Sequence, residues 1–466
     1  MSTFGVDFGA ITLHGVCRNR TWVCDNKAEK GICTLYGEGH YITFDNKHYT
    51  INGDCEYTLV QDYCDIDHLW NGTFKVISEN VPCGTTGNSC SKAIKVYLGN
   101  HKLILANGDL EVLERPSDVE VSYKAHRMGL FLIIETNIGL VLVWDRKTSI
   151  YIHLSINFKG KVCGLCGNFD GNGNNDFTTR SQCVVEDVKQ FRDSWKVSPY
   201  CPEVYISKDP CVVNPYRIAW AQKMCNIIIS HVFASCHSEV DPEKYYEACV
   251  KDTCACDMGD DCDCYCTAVS AYAQACNEAC VCVMWRSPTV CPLFCDLYHK
   301  EDQCQWHYKA CGAHCMKTCR NPTGICLSNL KGLEGCYPKC PEDKPYFNED
   351  EMTCVSQCGC LDTEGNYYML GEKVESCNVC EICICTPNGI LCHIDLTACH
   401  CNYDGTLMEI GEVIQIDDGP DGCKIVLCQL NGTTETPCYT TTEKSTEMML
   451  DEAFNSKFIF ILKRTF

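Results

Sequence analysis

Cysteine is the residue that most constrains how this chain can fold. There are 45 cysteines among 466 residues, close to one in ten, which is the density of a disulfide-stabilised scaffold. Such a chain would not reach its correct pairing in reducing cytosol, so the sequence predicts a secreted, extracellular protein. Because the count is odd, at least one thiol is free, bonded to a partner chain, or separated from its partner by missing sequence.

The charge balance narrows the possible partners. The formal net charge is −22, from 39 Lys and Arg against 61 Asp and Glu. Nucleic-acid binders and proteins of anionic membrane surfaces need basic patches, so both classes are disfavoured. The apolar run Phe458 to Leu462 is far below the roughly 20 residues of a membrane-spanning helix. We therefore predict no nucleic-acid partner and no membrane span.

The start of the chain does not resemble a signal peptide. Met1 to Thr12 has no basic beginning, and Asp7 interrupts its only apolar run. A disulfide-rich chain without an entry signal is expected to be a fragment, or an alternative isoform, of something larger. Three N-glycosylation sequons begin at Asn19, Asn71 and Asn431.

Strand and hairpin signals dominate the first two hundred residues. Strand-like runs flank short turns at Asp45–Lys47, Gly99–Asn100 and Asn137–Gly139, and several hairpins at this spacing predict a β-sandwich. The preceding residues 1–32 hold only a short hairpin-like piece. Because of these strand-like runs, residues 33–200 have enough apolar sequence for a core of their own, and disulfides have a secondary role there.

Helical periodicity appears after Cys201. Val269, Tyr272, Ala273 and Cys276 recur at the spacing of one helix face. This spacing predicts a small helical domain, tied by disulfides, over residues 201–290. The whole chain is thus expected to be multidomain and mainly β, with a small α-helical module.

Loops and disulfides dominate the remaining sequence. Residues 291–400 have few apolar runs, so a fold there depends on disulfides that contribute about 2–4 kcal/mol each. Zinc is the alternative for the C-x2-C-x2-C-x-C run from Cys377, but an oxidising compartment disfavours it. After Cys438 a Thr-rich run resembles the start of an O-glycosylated stretch, and the tail from Met448 has no usable pattern.

A loop rich in Asn, Asp and Gly, residues 163–176, is the candidate metal site. Asp170, Asn172, Asn174 and Asp176 stand at alternate positions, so their side-chain oxygens can surround a hard cation such as calcium. The loop is not an EF-hand, because its sixth and twelfth positions are not Gly and Glu. An ordinary Asn/Gly-rich turn is the alternative.

Cys163 and Cys166 open this loop with the C-x-x-C spacing of thiol–disulfide oxidoreductases. That chemistry needs an exposed thiolate of low pKa, typically at a helix N-terminus, whereas this motif runs into an acidic loop that would raise the thiol pKa. We therefore predict two structural half-cystines, with oxidoreductase activity as the alternative. The sequence contains no nucleophile constellation, phosphate-binding loop or dinucleotide-binding loop, and it predicts no enzyme.

Several motifs give the chain a family resemblance. Cys33–Asp45, Gly53–Tyr57 and Cys163–Gly171 closely resemble the von Willebrand factor type D domain. Tyr245–Cys256 is similar to the eight-cysteine helical module that follows that domain, and Gly335–Cys354 resembles a trypsin-inhibitor-like module. This order resembles the third D assembly of secreted gel-forming mucins of the airway or gastric type.

The resemblance implies a β-sandwich D domain followed by disulfide-rich helical and loop-dominated modules. The implied boundaries are the end of an E-like module at 1–32, the D domain at 33–200, the eight-cysteine module at 201–290, the trypsin-inhibitor-like module at 291–358, an E or von Willebrand C-like module at 359–400, a short cysteine-rich module at 401–438, and a Thr-rich start and unstructured tail at 439–466. Protease inhibition is a further alternative, although no reactive site stands out between Asn321 and Glu334.

The resemblance also implies self-assembly and not catalysis. D assemblies of this kind join mucin chains by interchain disulfides made at acidic pH with calcium. On the matching segments we expect interchain bonds at Cys262 and Cys304, and next at Cys264, with an ordinary intrachain bridge as the alternative for each. The expected partner is a second copy of the chain, and other mucus glycoproteins are a further class.

Only the resemblance brings Asp45 to the Asn/Asp loop, since the two are far apart in sequence. We expect one calcium ion to be bound by Asp45, Asn168, Asp170, Asn172, Asn175 and Asp176. A backbone carbonyl of Asn172 or Asn175 is expected to replace one of the side chains.

Overall fold

The computed structural model describes two compact units. They comprise residues 1–316 with 324–339, and residues 317–323 with 340–466. The backbone is described for residues 3–8, 11–18, 21–25, 30–51, 53, 55–64, 72–83, 88–114, 119–201, 209–256, 261–295, 305–313, 315–326, 330–362, 366–374, 381–394, 400–403, 406–409, 411–417, 423–429 and 432–437. Side chains are described in these ranges except at 3–25, 80–83, 88–92, 261–262, 394, 400, 402, 406–407, 416–417, 423, 429, 432 and 437.

The first unit begins with a small sheet and continues with twelve strands. The N-terminal sheet is antiparallel and consists of β1 (Thr3–Phe8), β2 (Ile11–Arg18) and β3 (Thr21–Asp25). The strands that follow are β4 (Gly31–Tyr36), β5 (His40–Ile42), β6 (His48–Thr50), β7 (Glu56–Gln61), β8 (Phe74–Cys83), β9 (Asn88–Leu98), β10 (His101–Ala106), β11 (Asp109–Glu114), β12 (Tyr123–Met128), β13 (Phe131–Thr136), β14 (Leu140–Trp144) and β15 (Ile150–Leu154).

These twelve strands form two antiparallel sheets, which together with residues up to 201 make the sandwich domain. One sheet has the order β11-β10-β9-β8-β7, and the other has the order β12-β13-β14-β15-β4-β5-β6. Leu59 and Val96 from the first sheet share a core with Leu35, Leu142 and Ile152 from the second. The predicted β-sandwich is confirmed, and the three predicted turns each join a pair of neighbouring strands.

The outer face of the seven-stranded sheet is buried as well. Every residue of β13, β14 and β15 is buried. On that face Ile133 and Tyr151 pack with Leu333 and Tyr337 from a later hairpin. This explains why these strands are almost continuously apolar in sequence, since a strand covered on both faces has no polar side to present.

Five α-helices lie in the described part of the first unit. They are α1 (Val188–Ser194) in the sandwich domain, followed by α2 (Pro210–Val213), α3 (Ile218–Cys225), α4 (Glu243–Ala255) and α5 (Asp261–Glu278). The helical domain, residues 209–292, packs around the predicted face of α5, whose four residues are all buried. Five disulfides tie this domain: Cys211–Cys254, Cys225–Cys249, Cys236–Cys276, Cys256–Cys264 and Cys266–Cys291.

A hairpin of β16 (Gln305–Gly312) and β17 (Leu333–Lys339) completes the first unit. The second unit is built from short strands: β18 (Tyr346–Asn348), β19 (Thr353–Val355), β20 (Cys360–Leu361), β21 (Tyr367–Tyr368), β22 (Lys373–Val374), β23 (Glu381–Thr386), β24 (Gly389–Ile394), β25 (His400–Tyr403), β26 (Thr406–Glu409), β27 (Val413–Asp417), β28 (Cys423–Gln429) and β29 (Gly432–Pro437).

Half-cystines make up much of the small cores in the second unit. One core contains Cys360, Val374, Cys383 and Cys385, and another contains Cys401, Met408, Val426 and Cys428. This confirms a mainly β chain in which disulfide-rich modules follow the sandwich and helical domains. Among the helices that the structure describes, none has the length and apolarity required to cross a bilayer.

Candidate functional site

Two disulfides hold the start of the Asn/Asp loop against the sandwich domain. Cys166 is bonded to Cys33 in β4, and Cys163 is bonded to Cys64, which follows β7. The two sulfurs of the C-x-x-C motif therefore have different partners and do not form a bond with each other. Cys166 is fully buried.

Backbone pairing with the open edge of β7 fixes the same segment. The N–H groups of Cys163 and Cys166 donate to the carbonyls of Gln61 (3.1 Å) and Leu59 (2.8 Å). Gly164 between them has φ of +137°, and a Cβ there would lie 2.3 Å from the Leu59 carbonyl oxygen. A side chain at this position would push the loop off the strand.

Asp45, in the turn between β5 and β6, reaches the loop across 125 residues of sequence. Its carboxylate accepts hydrogen bonds from the backbone N–H groups of Asp170 (3.1 Å) and Gly171 (2.9 Å). The approach is close at Gly173 too, where a Cβ would lie 3.0 Å from the Asp45 carbonyl oxygen.

Asp170 is the centre of the loop's hydrogen bonding. Its carboxylate accepts from the side-chain amides of Asn175 (2.6 Å) and Asn168 (3.0 Å) and from the backbone N–H of Asn172 (2.7 Å). Partial burial acts to raise the pKa of Asp170, but these hydrogen bonds outweigh it and lower the pKa below its ordinary value.

Asp176 closes the cluster from inside the domain. It is almost completely buried, and its Oδ2 accepts a hydrogen bond from Thr43 Oγ1 (2.5 Å). Burial raises the pKa of Asp176, the hydrogen bond from Thr43 opposes the shift and the negative charge of Asp45 adds to it, so that the pKa is about 6. Its Oδ1 has no hydrogen-bond partner, and neither does the buried Oδ1 of Asn175.

The structure thus brings all six predicted ligand residues into one cluster. Buried oxygens without partners are rare and carry a desolvation cost. A cation bound beside either oxygen would supply its missing partner, and carboxylate and amide oxygens are the donors that calcium prefers. The donor set therefore fits a hard divalent ion.

Of the three cysteines expected to link chains, Cys264 is the one whose side chain lies within the described residues. Cys262 lies in the first turn of α5, but its side chain is outside the described residues, as is the whole of Cys304. Cys264 is bonded to Cys256 within the chain. The sequons at Asn19, Asn71 and Asn431 lie outside the described residues too.

Two further thiols were not singled out by the sequence. In the part of the chain that the structure describes, Cys183 and Cys280 are the free cysteines, the first exposed and the second half-buried. Only the odd cysteine count signalled that unpaired thiols were present. Nothing in their local sequence distinguishes them from the paired ones.

A buried ion pair joins the helical domain to the β16–β17 hairpin. The carboxylate of Glu334 accepts two hydrogen bonds from the Arg286 guanidinium (2.8 and 3.0 Å), one from the Tyr308 hydroxyl (2.7 Å) and one from Ser270 Oγ (3.2 Å). Glu334 and Arg286 are both nearly inaccessible to solvent. No sequence pattern pointed to this cluster, because its four members come from four separate segments.

The same glutamate touches the sandwich domain through its backbone. The carbonyl of Glu334 accepts from the N–H of Leu130 (3.1 Å). Gly129 and Gly335 allow this contact, since a Cβ on Gly335 would lie 2.3 Å from Gly129 Cα. The sandwich domain also meets the helical domain directly. Nε2 of His40 in β5 lies 2.6 Å from Oδ1 of Asp252 in α4, and both side chains are buried.

Three family profiles match the chain in sequence order. The von Willebrand factor type D domain matches residues 33–183, the C8 domain matches residues 224–292, and the Otogelin-like/Mucin TIL domain matches residues 304–360. The first covers the sandwich domain, including the Asn/Asp loop, and the second covers most of the helical domain.

Similar proteins extend the comparison to nearly the whole chain. Human Mucin-5B is 54% identical over 92% of this chain, human Mucin-5AC is 51% identical over 91%, and human Mucin-2 is 43% identical over 92%. The chain spans only 7–8% of the length of these relatives. By its three domains and by this identity, the chain belongs to the gel-forming mucins, as a VWD–C8–TIL region of that family.

Proposed function

We propose that the chain is a structural module that assembles covalently with copies of itself in a secreted, polymeric mucus network. The observation that carries this proposal is the extent of the likeness: mucins from three different genes match more than nine-tenths of the chain. The odd number of cysteines adds support, because at least one thiol is left over when all others pair within the chain.

The two alternative functions receive no support. Oxidoreductase turnover at Cys163 and Cys166 would require opening two separate bridges, one of them with a fully buried sulfur. For protease inhibition, no described contact marks a reactive site between Asn321 and Glu334, a segment in which Ile325 is exposed and Leu330 and Leu333 are buried. A structural role, without catalysis, is therefore the function proposed.

We expect Cys262 and Cys304 to carry the interchain bonds. Replacing both with alanine should abolish covalent oligomers, which are measured by non-reducing electrophoresis after incubation near pH 6 with saturating calcium. Assembly of the unaltered chain should strengthen as the pH falls toward about 6, because histidines near their reference pKa take up protons. Asp260 and Asp261 next to Cys262 would also repel across a symmetric interface unless protonated or bound to calcium.

The matched control removes the exposed free thiol, Cys183→Ala. This variant keeps both expected linking cysteines and should oligomerise like the unaltered chain. Covalent oligomers that persist in the double variant at the normal level would show that other cysteines link the chains.

We also propose that calcium binds at the Asn/Asp loop, held by Asp45, Asn168, Asp170, Asn172, Asn175 and Asp176. Support comes from the unpartnered buried oxygens of Asn175 and Asp176 and from the closeness of the Asp45 and Asp176 carboxylates. Bound calcium would neutralise these charges and hold the loop to the turn that carries Asp45. Because the pKa of Asp176 is about 6, calcium competes with a proton at acidic pH.

Asp170→Ala tests this site. Removing a residue that only supports a metal ligand typically lowers metal affinity about 10–100-fold. Asp170 is proposed as a direct ligand, so we expect its removal to lower calcium affinity by at least that much. The calcium-dependent rise in melting temperature should shrink accordingly. Calorimetry and thermal unfolding measure both effects. Asp343→Ala, an exposed carboxylate in the second unit, should change neither. Unchanged calcium binding and stability in Asp170→Ala would place the ion elsewhere.

A further inference from the structure

An open cleft of about 570 Å³ lies in the sandwich domain, next to α1 and distinct from the Asn/Asp loop. Four of its lining residues are basic, namely Arg180, Lys189, Arg192 and Lys196, and one is acidic, Asp193. We call it the basic cleft. Its excess of positive charge contrasts with a chain whose formal net charge is −22.

The single lining carboxylate is already engaged. Asp193 Oδ1 pairs with Arg192 Nη2 at 2.8 Å and with Lys196 Nζ at 3.1 Å. Arg180 and Lys189, by contrast, form no ion pair with any residue that the structure describes. Two cationic groups of the cleft are therefore left without a counter-charge from the part of the chain that the structure describes.

Arg180 is held in place by the cleft wall. Its backbone N–H donates to Ser194 Oγ (3.4 Å), and its Nη2 donates to the carbonyl of Lys196 (3.4 Å). The guanidinium carbon lies 5.4 Å from the centre of the Trp195 ring, a cation–π distance. This positioning reduces the conformational entropy that ligand binding would cost.

The pKa shifts of Arg180 and Lys75 agree with an excess of positive charge around the basic cleft. Burial lowers the pKa of the Arg180 guanidinium below its ordinary value. Burial also lowers the pKa of Lys75, and the charge of Arg180 lowers it further while Glu56 opposes the shift. An anion in the cleft would relieve this repulsion.

We infer that the basic cleft binds an oxyanion group, a sulfate or phosphate monoester, through Arg180 and Lys189. A planar guanidinium offers two parallel N–H donors that match such a group, and a nearby ammonium adds charge without demanding a fixed direction. Arg192, Asp193 and Lys196 line the same cleft and form ion pairs with one another.

The source that best suits the cleft is a sulfated saccharide. A volume of about 570 Å³ exceeds that of one ion and falls in the range of pockets that hold small organic ligands. The cleft is open, so the rest of a polysaccharide can continue into solvent. This choice of source rests on the proposed extracellular role, where sulfate esters on glycans are the accessible oxyanions.

Calorimetry on the full chain tests the inference with three probes: a chondroitin sulfate hexasaccharide, the same unsulfated hexasaccharide and sodium sulfate. We expect saturable binding of the sulfated probe, about tenfold weaker binding of the unsulfated one, and at least tenfold loss in Arg180→Gln/Lys189→Gln. Lys223→Gln/Lys251→Gln removes the same charge from exposed sites on the helical domain and should bind within about twofold of the unaltered chain.

The single variant Lys189→Gln controls for a folding defect in the double variant, because Lys189 is exposed and unpaired among the described residues. This single variant should lose part of the affinity for the sulfated probe. Sodium sulfate that binds as tightly as the hexasaccharide would support the oxyanion site and assign the free ion as its ligand. Equal binding by the cleft and control variants, or competition by sulfate no stronger than by chloride at equal ionic strength, would overturn the inference. Covalent assembly should be normal in the cleft variant, so this test is independent of the proposed assembly.

Discussion

Replacing Glu334 with alanine is expected to lower the free energy of unfolding of the first unit by about 3–5 kcal/mol. The change removes four side-chain hydrogen bonds and leaves the Arg286 guanidinium buried without its counter-charge. Denaturant unfolding with the disulfides intact measures the loss. The size of the effect comes mainly from the stranded positive charge and less from the value of the pair itself.

Two variants separate these contributions. Arg286→Met/Glu334→Leu removes both charges and should recover most of the loss, because an apolar pair of similar volume carries no desolvation penalty. Glu247→Ala breaks an exposed pair with Lys244 and should cost less than about 1 kcal/mol. A loss below about 1 kcal/mol in Glu334→Ala would mean that water or another carboxylate compensates Arg286.

The second large effect is expected from Cys33→Ala/Cys166→Ala. This bridge closes a loop of 133 residues, so its removal should cost about 2–5 kcal/mol through the entropy of the unfolded chain. It should also weaken calcium binding, because Cys166 fixes the start of the Asn/Asp loop beside Phe44, whose N–H donates to the Cys166 carbonyl (3.0 Å). Thermal unfolding and calcium calorimetry measure the two effects.

Cys55→Ala/Cys201→Ala is the matched control. Its bridge closes a loop of similar length, 146 residues, in the same domain but away from the Asn/Asp loop. Stability should fall by a similar amount while calcium affinity stays the same. Equal calcium affinity in both variants would show that the Cys33–Cys166 bridge does not organise the loop.

Local sequence predicted the elements of the fold well. Turns such as Gly99–Asn100 between strand-like runs located the hairpins, and the spacing of Val269, Tyr272, Ala273 and Cys276 located the buried face of α5. These features depend on neighbours in sequence, which is why they could be predicted.

Features that join residues far apart in sequence could not be predicted from local sequence patterns. The partners of Cys163 and Cys166 lie 99 and 133 residues away, and no spacing rule could select them among 45 cysteines. Asp45 reached the candidate site only through the family resemblance. Arg180 and Lys189 are charged residues whose local sequence carries no site signal, and they line one cleft only in the folded chain.

The doubly covered seven-stranded sheet has a consequence for synthesis. Strands β13 to β15 leave the ribosome well before Leu333 and Tyr337, which cover their outer face. During that interval the outer face of these strands, which includes Ile133 and Tyr151, stays uncovered. We therefore expect residues 33–200 produced alone to aggregate, because this apolar face would remain exposed. The boundary of the domain in sequence is not the boundary of the piece that can fold unaided.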